Sequence, residues 1–487
     1  MQILLLILLV ISNPINTKLE QSKKSSKSDY DYSSYTAKSV NENLSSQEVT
    51  CSESDSSAVY ITDTVQITES NIIKESGTAS NRENSEFYGV NAAILVQGGT
   101  LEMIGGTITT KVETANAVVA TNNGQVTISG TNIVSTGSSA ARGLHATYGG
   151  TITASKVTIS SEGGSCANLA TDRGEGTVSC SECTLSTKGA GSPLIYSTGV
   201  ITVEKTEGTA YGAQTVVVEG KNKAIVKDSS TLKCTAAPNR KDIDQCGVML
   251  YQSMSGDAET GTSYFTCEDS SIEIVSDSSY YTTAPMFFIT NTNSEISLTN
   301  CDFIYGSKTF ISAKGTSEWG TEGKNGGDVV LKLINQNIEG NFVIDSISTL
   351  KITLVKSTIT GTINGDNTAK NLEITIDAES TITLTGNSYC NKITNEKIDG
   401  SNLINGSYTW NDEEPSSDIT TDSSSDQEPS SDIPPEPPSS DIPPHPPSSD
   451  IPPEPSSDQP TDQNSAKSIL DVNRIIFVLS LLLGIIL

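Results

Sequence analysis

The chain of 487 residues carries 30 Lys+Arg against 58 Asp+Glu, a formal charge of −28, which excludes a surface built to neutralise nucleic-acid phosphates. Only 5% of residues are aromatic, and the two histidines, His145 and His445, leave almost no inventory for histidine-based acid/base or metal chemistry. Abundant Gly, Ser, Thr and Asn with little Met is a strand-and-turn composition, not a helical one.

An apolar run from Ile3 to Ile11 opens the chain. It is too short to span a bilayer, which needs ~20 residues, and reads as the core of a secretory signal peptide over 1–17. Residues 18–48 are rich in Ser, Lys and Tyr without periodicity and are expected to form a disordered lead-in. Within them Asn43-Leu44-Ser45 is a glycosylation triplet, matched later by Asn405-Gly406-Ser407.

Residues 49–410 repeat. A Gly- or Asn-containing turn followed by a short strand recurs at Thr100, Gln125, Thr151, Thr177, Val200 and Lys223, spaced 25, 26, 26, 23 and 23 residues apart. Weaker matches fall near Thr64, Ser263, Glu295, Val329, Thr349 and Leu372. Each period holds three short β-branched segments and no helical pattern, which excludes βαβ units. An even period of this kind predicts an all-β, right-handed parallel β-helix, a solenoid of about twelve coils stacked ~4.8 Å apart with disordered termini. Segments 74–90, 235–245 and 276–285 are expected to leave the stack as outer loops, the last carrying Tyr280 and Tyr281. Together with these Gly-rich coils, the segments Arg142 to Gly150 and Gly247 to Asp257 resemble adhesin-like surface proteins of the parallel β-helix (pectin-lyase-like) class over roughly 90–390. The resemblance implies the fold and leaves activity open, because the class also contains polysaccharide lyases and hydrolases.

Aligning one strand per coil gives a middle column of Leu95, Val119, His145, Leu169, Ile195, Val217, Leu250 and Phe288, flanked by two further apolar columns. Side chains alternate faces along a strand, so flanks that fill the core force the middle column outward. Strands apolar on both faces are normally covered on both. Either a segment of the chain lies over this row, or the row is an exposed binding face for a partner.

Chemistry is sparse. The N-T-D, D-D, G-H-G and R-I-K elements of the pectin-hydrolase branch are absent; the nearest approach is Ala170-Thr171-Asp172-Arg173. Asp242 and Asp244, beside Arg240 and Lys241, form the one charged cluster considered as a cation or substrate site. No catalytic residue, metal or cofactor is expected. All nine Cys lie between Cys51 and Cys390, and Cys234 with Cys246, bracketing the 235–245 insertion, form the expected disulfide.

From Asp412 to Asp462 there are 14 acidic residues, no Lys or Arg, and 14 of the 18 Pro. Proline at this density forms neither helix nor sheet, so 411–463 reads as an extended acidic stalk. Beyond it, small residues including Asn464 and Ser465, a polar spacer and an apolar tail from Ile475 to Leu487 have the layout of a lipid-anchor signal over 464–487. The expectation is a lipid-anchored cell-surface protein that binds a glycan, matrix or cell-surface protein without catalysis. The alternative is an extracellular carbohydrate-active enzyme, which a cluster of Asp with Lys or Arg in one outer groove would favour.

Overall fold

The computed structural model describes residues 27–395, 404–405 and 408–410. The signal peptide, the stalk and the anchor residues Asn464 and Ser465 fall outside these residues. Within them the chain is a parallel β-helix. The first sheet has 12 strands, from Thr36–Val40 to Asn341–Ile344, the second has 14 and the third 10; a separate 4-stranded sheet lies near the C-terminal end. The strand markers stack one on another: Thr100 registers with Gln125, Gln125 with Thr151, Thr151 with Thr177, Thr177 with Val200, and Val200 with Lys223.

The marker glycines have a steric origin. A Cβ on Gly150 would lie 2.1 Å from the Ala120 carbonyl oxygen, and one on Gly124 2.3 Å from that of Val96. The coil below comes too close for any side chain. Between the second and third sheets, the chain turns through a left-handed residue such as Glu69 (φ 48°), Lys205 (φ 48°) or Asp269 (φ 46°). Such a conformation costs a non-glycine residue ~1–2 kcal/mol. It places the next residue's hydroxyl inside the wall, where it serves the coil before it. Ser70 Oγ accepts from Gln47 N at 3.1 Å, Ser230 Oγ from Thr206 N at 3.2 Å, and Ser270 Oγ from Ser230 N at 3.1 Å. Buried backbone N–H groups need such partners.

The core is a column of aliphatic side chains that becomes aromatic further along. Phe265, Phe287, Phe310 and Phe342 stack in sequence with ring centroids 5.6, 5.3 and 5.8 Å apart.

Several expectations are corrected. Residues 36–51 form a first coil, with strands Thr36–Val40, Leu44–Ser45 and Glu48–Cys51, where a disordered lead-in was expected. Asn43 is exposed on this coil, its side-chain carbonyl accepting from Gln66 N at 2.7 Å. Asn405 lies in the strand Ile404–Asn405 and registers with Thr383. Cys234 and Cys246 remain thiols. Cys234 faces the core, whereas Cys246 packs in a second apolar cluster with Met249, Phe288 and Trp319, so the sheet separates them. Disulfides join Cys180 to Cys183 and Cys267 to Cys301. Tyr280 and Tyr281 do not protrude; both pack against the core.

Candidate functional site

The outer face of the first sheet carries the row the sequence outlined, with a corrected register. Val119 pairs with Leu95 and His145, His145 with Ala170, Ala170 with Tyr196, Tyr196 with Val217, Val217 with Met249, and Met249 with Phe288. Leu95, Val119, His145, Val217 and Phe288 therefore belong to the outward row. Leu169, Ile195 and Leu250 do not: each sits one residue out of step and lies in the core. Apolar residues on both faces of these strands make the two registers look alike in sequence.

The row is covered, but in two separate places. At its N-terminal end Tyr32 and Tyr35 pack over Tyr60, Leu95 and Val119. The Tyr35 ring stands 5.1 Å from that of Tyr60, and the Tyr35 hydroxyl lies 2.7 Å from Ser57 Oγ. Tyr32 Oη donates to the Tyr88 carbonyl at 2.7 Å, tying this cover to the helix Arg82–Tyr88. That helix ends at Gly89 (φ 75°), where a Cβ would strike Leu95 and Val119 at 2.7 Å. At the other end Ile243 from the 235–245 insertion and the adjoining Cys246, with Trp319 from a later loop, close over Val217, Met249 and Phe288. Trp319 meets the Tyr251 ring edge-on at 5.0 Å.

Between the two covers lies a cleft of about 360 Å³. Its aromatic walls are Phe87, Tyr196, Tyr251 and Trp319, and its charged lining includes Arg82, Arg142, Arg240, Asp172, Asp244 and Asp257. The chain has five arginines, and Arg82, Arg142 and Arg240 all line this one cleft. A fourth, Arg173, stands over the Phe87 ring at 3.6 Å and bonds Asp257 through Nε at 3.0 Å.

Asp172 is buried at the floor. It stands two residues beyond the outward Ala170, and so on the same face. Burial pushes its carboxyl up to about 7, against the pull of Arg142. Arg142 Nη2 is 3.5 Å and His145 Nε2 4.0 Å from Asp172 Oδ2, while Oδ1 accepts from Arg173 N at 2.9 Å. His145 is fully enclosed; burial, with Arg142 beside it, holds its ring well below the ordinary histidine range. Both its nitrogens, Arg142 Nη1 and Trp319 Nε1 are buried without a hydrogen-bond partner.

Glu219, two residues beyond the outward Val217, orients the aromatic wall. Its Oε2 accepts from Tyr196 Oη at 2.7 Å and Tyr251 Oη at 2.8 Å, and its Oε1 accepts from Ser253. Burial, then the Glu219 charge, raise both phenols well above their ordinary value. Asp244, from the charged cluster singled out in the sequence, caps its own loop by accepting from Asn239 N at 2.9 Å and Arg240 N at 3.2 Å. Arg240 pairs with Glu318 at 3.3 Å and stands 5.3 Å from the Trp319 ring.

An aromatic-walled cleft with fixed donors and a carboxyl pushed up to about 7 is equipped to hold a polar, ring-shaped ligand and to hydrogen-bond its oxygens. The sequence met Asp172 only as a failed match to a hydrolase element, and Arg142 and Tyr251 only within the segments that carry the family resemblance; it gave none of these, nor Tyr196 or Trp319, a role in a site. One signal was available: in a chain so poor in arginine, all but one of them fall within 82–240. Compared with protein-family models, curated proteins and solved structures, the chain matches none.

Proposed function

We propose that this is a lipid-anchored extracellular protein, adhesin-like in the pectin-lyase-like sense, that binds a glycan in the cleft between its two covers and acts by contact. The observation that carries the reading is the cleft itself. Sugar rings stack on aromatic faces, and their hydroxyls seek fixed polar groups such as those on Arg142, Arg240 and Trp319. The covering of the apolar row removes the broad greasy face as the contact surface and concentrates recognition here. A glycan array probed with the full-length protein tests it. Binding to a defined set of glycans is expected, with loss in Trp319→Ala and Tyr251→Ala proteins that keep their strand content. Absence of glycan binding by the wild-type protein overturns the reading.

A second reading, a glycoside-cleaving enzyme, is favoured by Asp172. Glycoside cleavage needs a carboxyl that keeps its proton near neutrality to serve as general acid, and Asp172 is pushed up to about 7. Incubating the glycans that bind with the wild-type protein separates the two: new reducing ends or unsaturated products, absent with Asp172→Asn, favour the enzyme.

A further inference from the structure

Each of the other three arginines around the cleft has a carboxylate within strong bonding or ion-pair distance: Arg82 with Glu86 at 2.9 Å, Arg173 with Asp257 at 3.0 Å, Arg240 with Glu318 at 3.3 Å. Arg142 differs. Its side chain is only 10% exposed, and the one carboxylate it meets among the described residues, Asp172, lies at 3.5 Å, too far for a good hydrogen bond. Its Nη1 is buried with no partner, as are both His145 nitrogens and Trp319 Nε1. A buried guanidinium left half-satisfied is costly, and what it lacks is acceptors. Arg142 also lines the cleft, so an acceptor can reach it from solvent.

Resting on the glycan reading above, we propose that Arg142 forms a subsite for an anionic substituent of the ligand, a carboxylate or a sulfate ester, and that Asp172 is its internal competitor: ionised, Asp172 occupies Arg142; protonated, it releases Arg142 to the ligand. The planar fork of a guanidinium matches both anions. A ligand anion beside an ionised Asp172 would place two negative charges on one buried cation, so proton uptake by Asp172 and anion capture are coupled.

The groups facing Asp172 fix the direction of that coupling. Arg142 and His145 approach from one coil, Tyr196 from the next, Arg173 from its own strand end, Glu86 from the helix Arg82–Tyr88, and Asp257 from the loop after Val248–Tyr251. Guanidinium groups do not titrate in the physiological range. Burial keeps the His145 ring and the Tyr196 phenol neutral. Asp257 and Glu86 add negative potential that helps Asp172 keep its proton. With Asp172 titrating at about 7, roughly a tenth of the protein is competent at pH 8 and nearly all at pH 5.5, which weakens anion binding about tenfold across that interval.

The test uses the full-length protein with Trp410→Phe, leaving Trp319 as the only fluorophore of its kind. Sodium sulfate and sodium acetate are titrated at pH 5.5 and pH 8 at constant ionic strength. A saturable Trp319 response, about tenfold tighter at the lower pH, is expected. Asp172→Asn should bind with the tighter constant at both pH values, and Arg142→Gln at neither. No saturable response at pH 5.5, equal affinity at the two pH values, or an unchanged pH step in Asp172→Asn overturns the proposal. Asp172→Asn is close to isosteric, so this last outcome decides even if Arg142→Gln fails to fold. Oligosaccharides bearing a uronate or a sulfate ester, against their methyl-esterified and desulfated forms, identify which anion is read. Equal binding of charged and neutral forms overturns the subsite while the glycan reading stands. A pH-stepped ion response with no oligosaccharide binding supports the subsite and overturns the glycan reading.

Discussion

The Asp172→Asn substitution should stabilise the fold, and only above acidic pH. Asp172 is a buried carboxyl raised from an ordinary 3.8 to about 7, with burial the leading cause. Well below pH 3.8 the group is protonated in both folded and unfolded chains and contributes no pH-dependent term. As pH rises, the unfolded chain releases a proton that the folded chain still holds, so stability falls until the folded group ionises near pH 7. At about 1.4 kcal/mol per pH unit, the full penalty comes to about 4 kcal/mol, present from pH 7 upward. Asparagine keeps the shape and carries no charge to desolvate. Urea unfolding of wild type and Asp172→Asn at pH 4 and pH 8 measures this directly. The variant should lie within about 0.5 kcal/mol of wild type at pH 4 and exceed it by about 4 kcal/mol at pH 8. An equal difference at both pH values, or a variant weaker than wild type at pH 8, would refute the claim that Asp172 is held protonated by burial.

Removing the disulfide Cys267–Cys301 by a double Ser substitution releases a link across a sequence separation of 34, and chain entropy alone puts the loss at about 4 kcal/mol, read by urea denaturation under oxidising conditions. Phe287→Ala empties the centre of the aromatic column, where Phe265, Phe303 and Phe310 all meet its ring; a loss of about 3–5 kcal/mol in the same assay is expected. Tyr35→Ala strips the first cover from Tyr60, Leu95 and Val119, so binding of a dye specific for exposed apolar surface should rise while strand content by circular dichroism stays unchanged.

The repeat was legible because its cause is local and steric. Each marker glycine meets the carbonyl of the coil below, so Gly124 and Gly150 recur wherever that approach recurs. The register of the first sheet was legible only in part. Alternation fixes a register when one face is wet, and these strands are apolar outside as well as inside. Leu169, Ile195 and Leu250 slipped by one residue for that reason. The covers were harder still. Tyr32 and Tyr35 lie in a polar stretch with no period, and Trp319 arrives from a loop far along the chain. The cleft depends on long-range placement that no local motif encodes: Arg142 and Asp172 are one coil apart in space, but Arg240 and Trp319 come from two separate excursions. The expected Cys234–Cys246 bridge failed because proximity in sequence says nothing about which side of a sheet each sulfur takes.

The hydroxyl ladder at the turn carries an evolutionary corollary. Where the turn carries a hydroxyl, as at Ser70, Thr206, Ser230 and Ser270, one circuit lends a hydrogen-bond partner to the circuit before it, and the two are joined seam to seam. A circuit added or lost beyond Asn341–Ile344 falls after every residue that lines the cleft, Arg142, Asp172 and Trp319 included. The number of coils beyond the cleft can therefore change without altering the residues that line it.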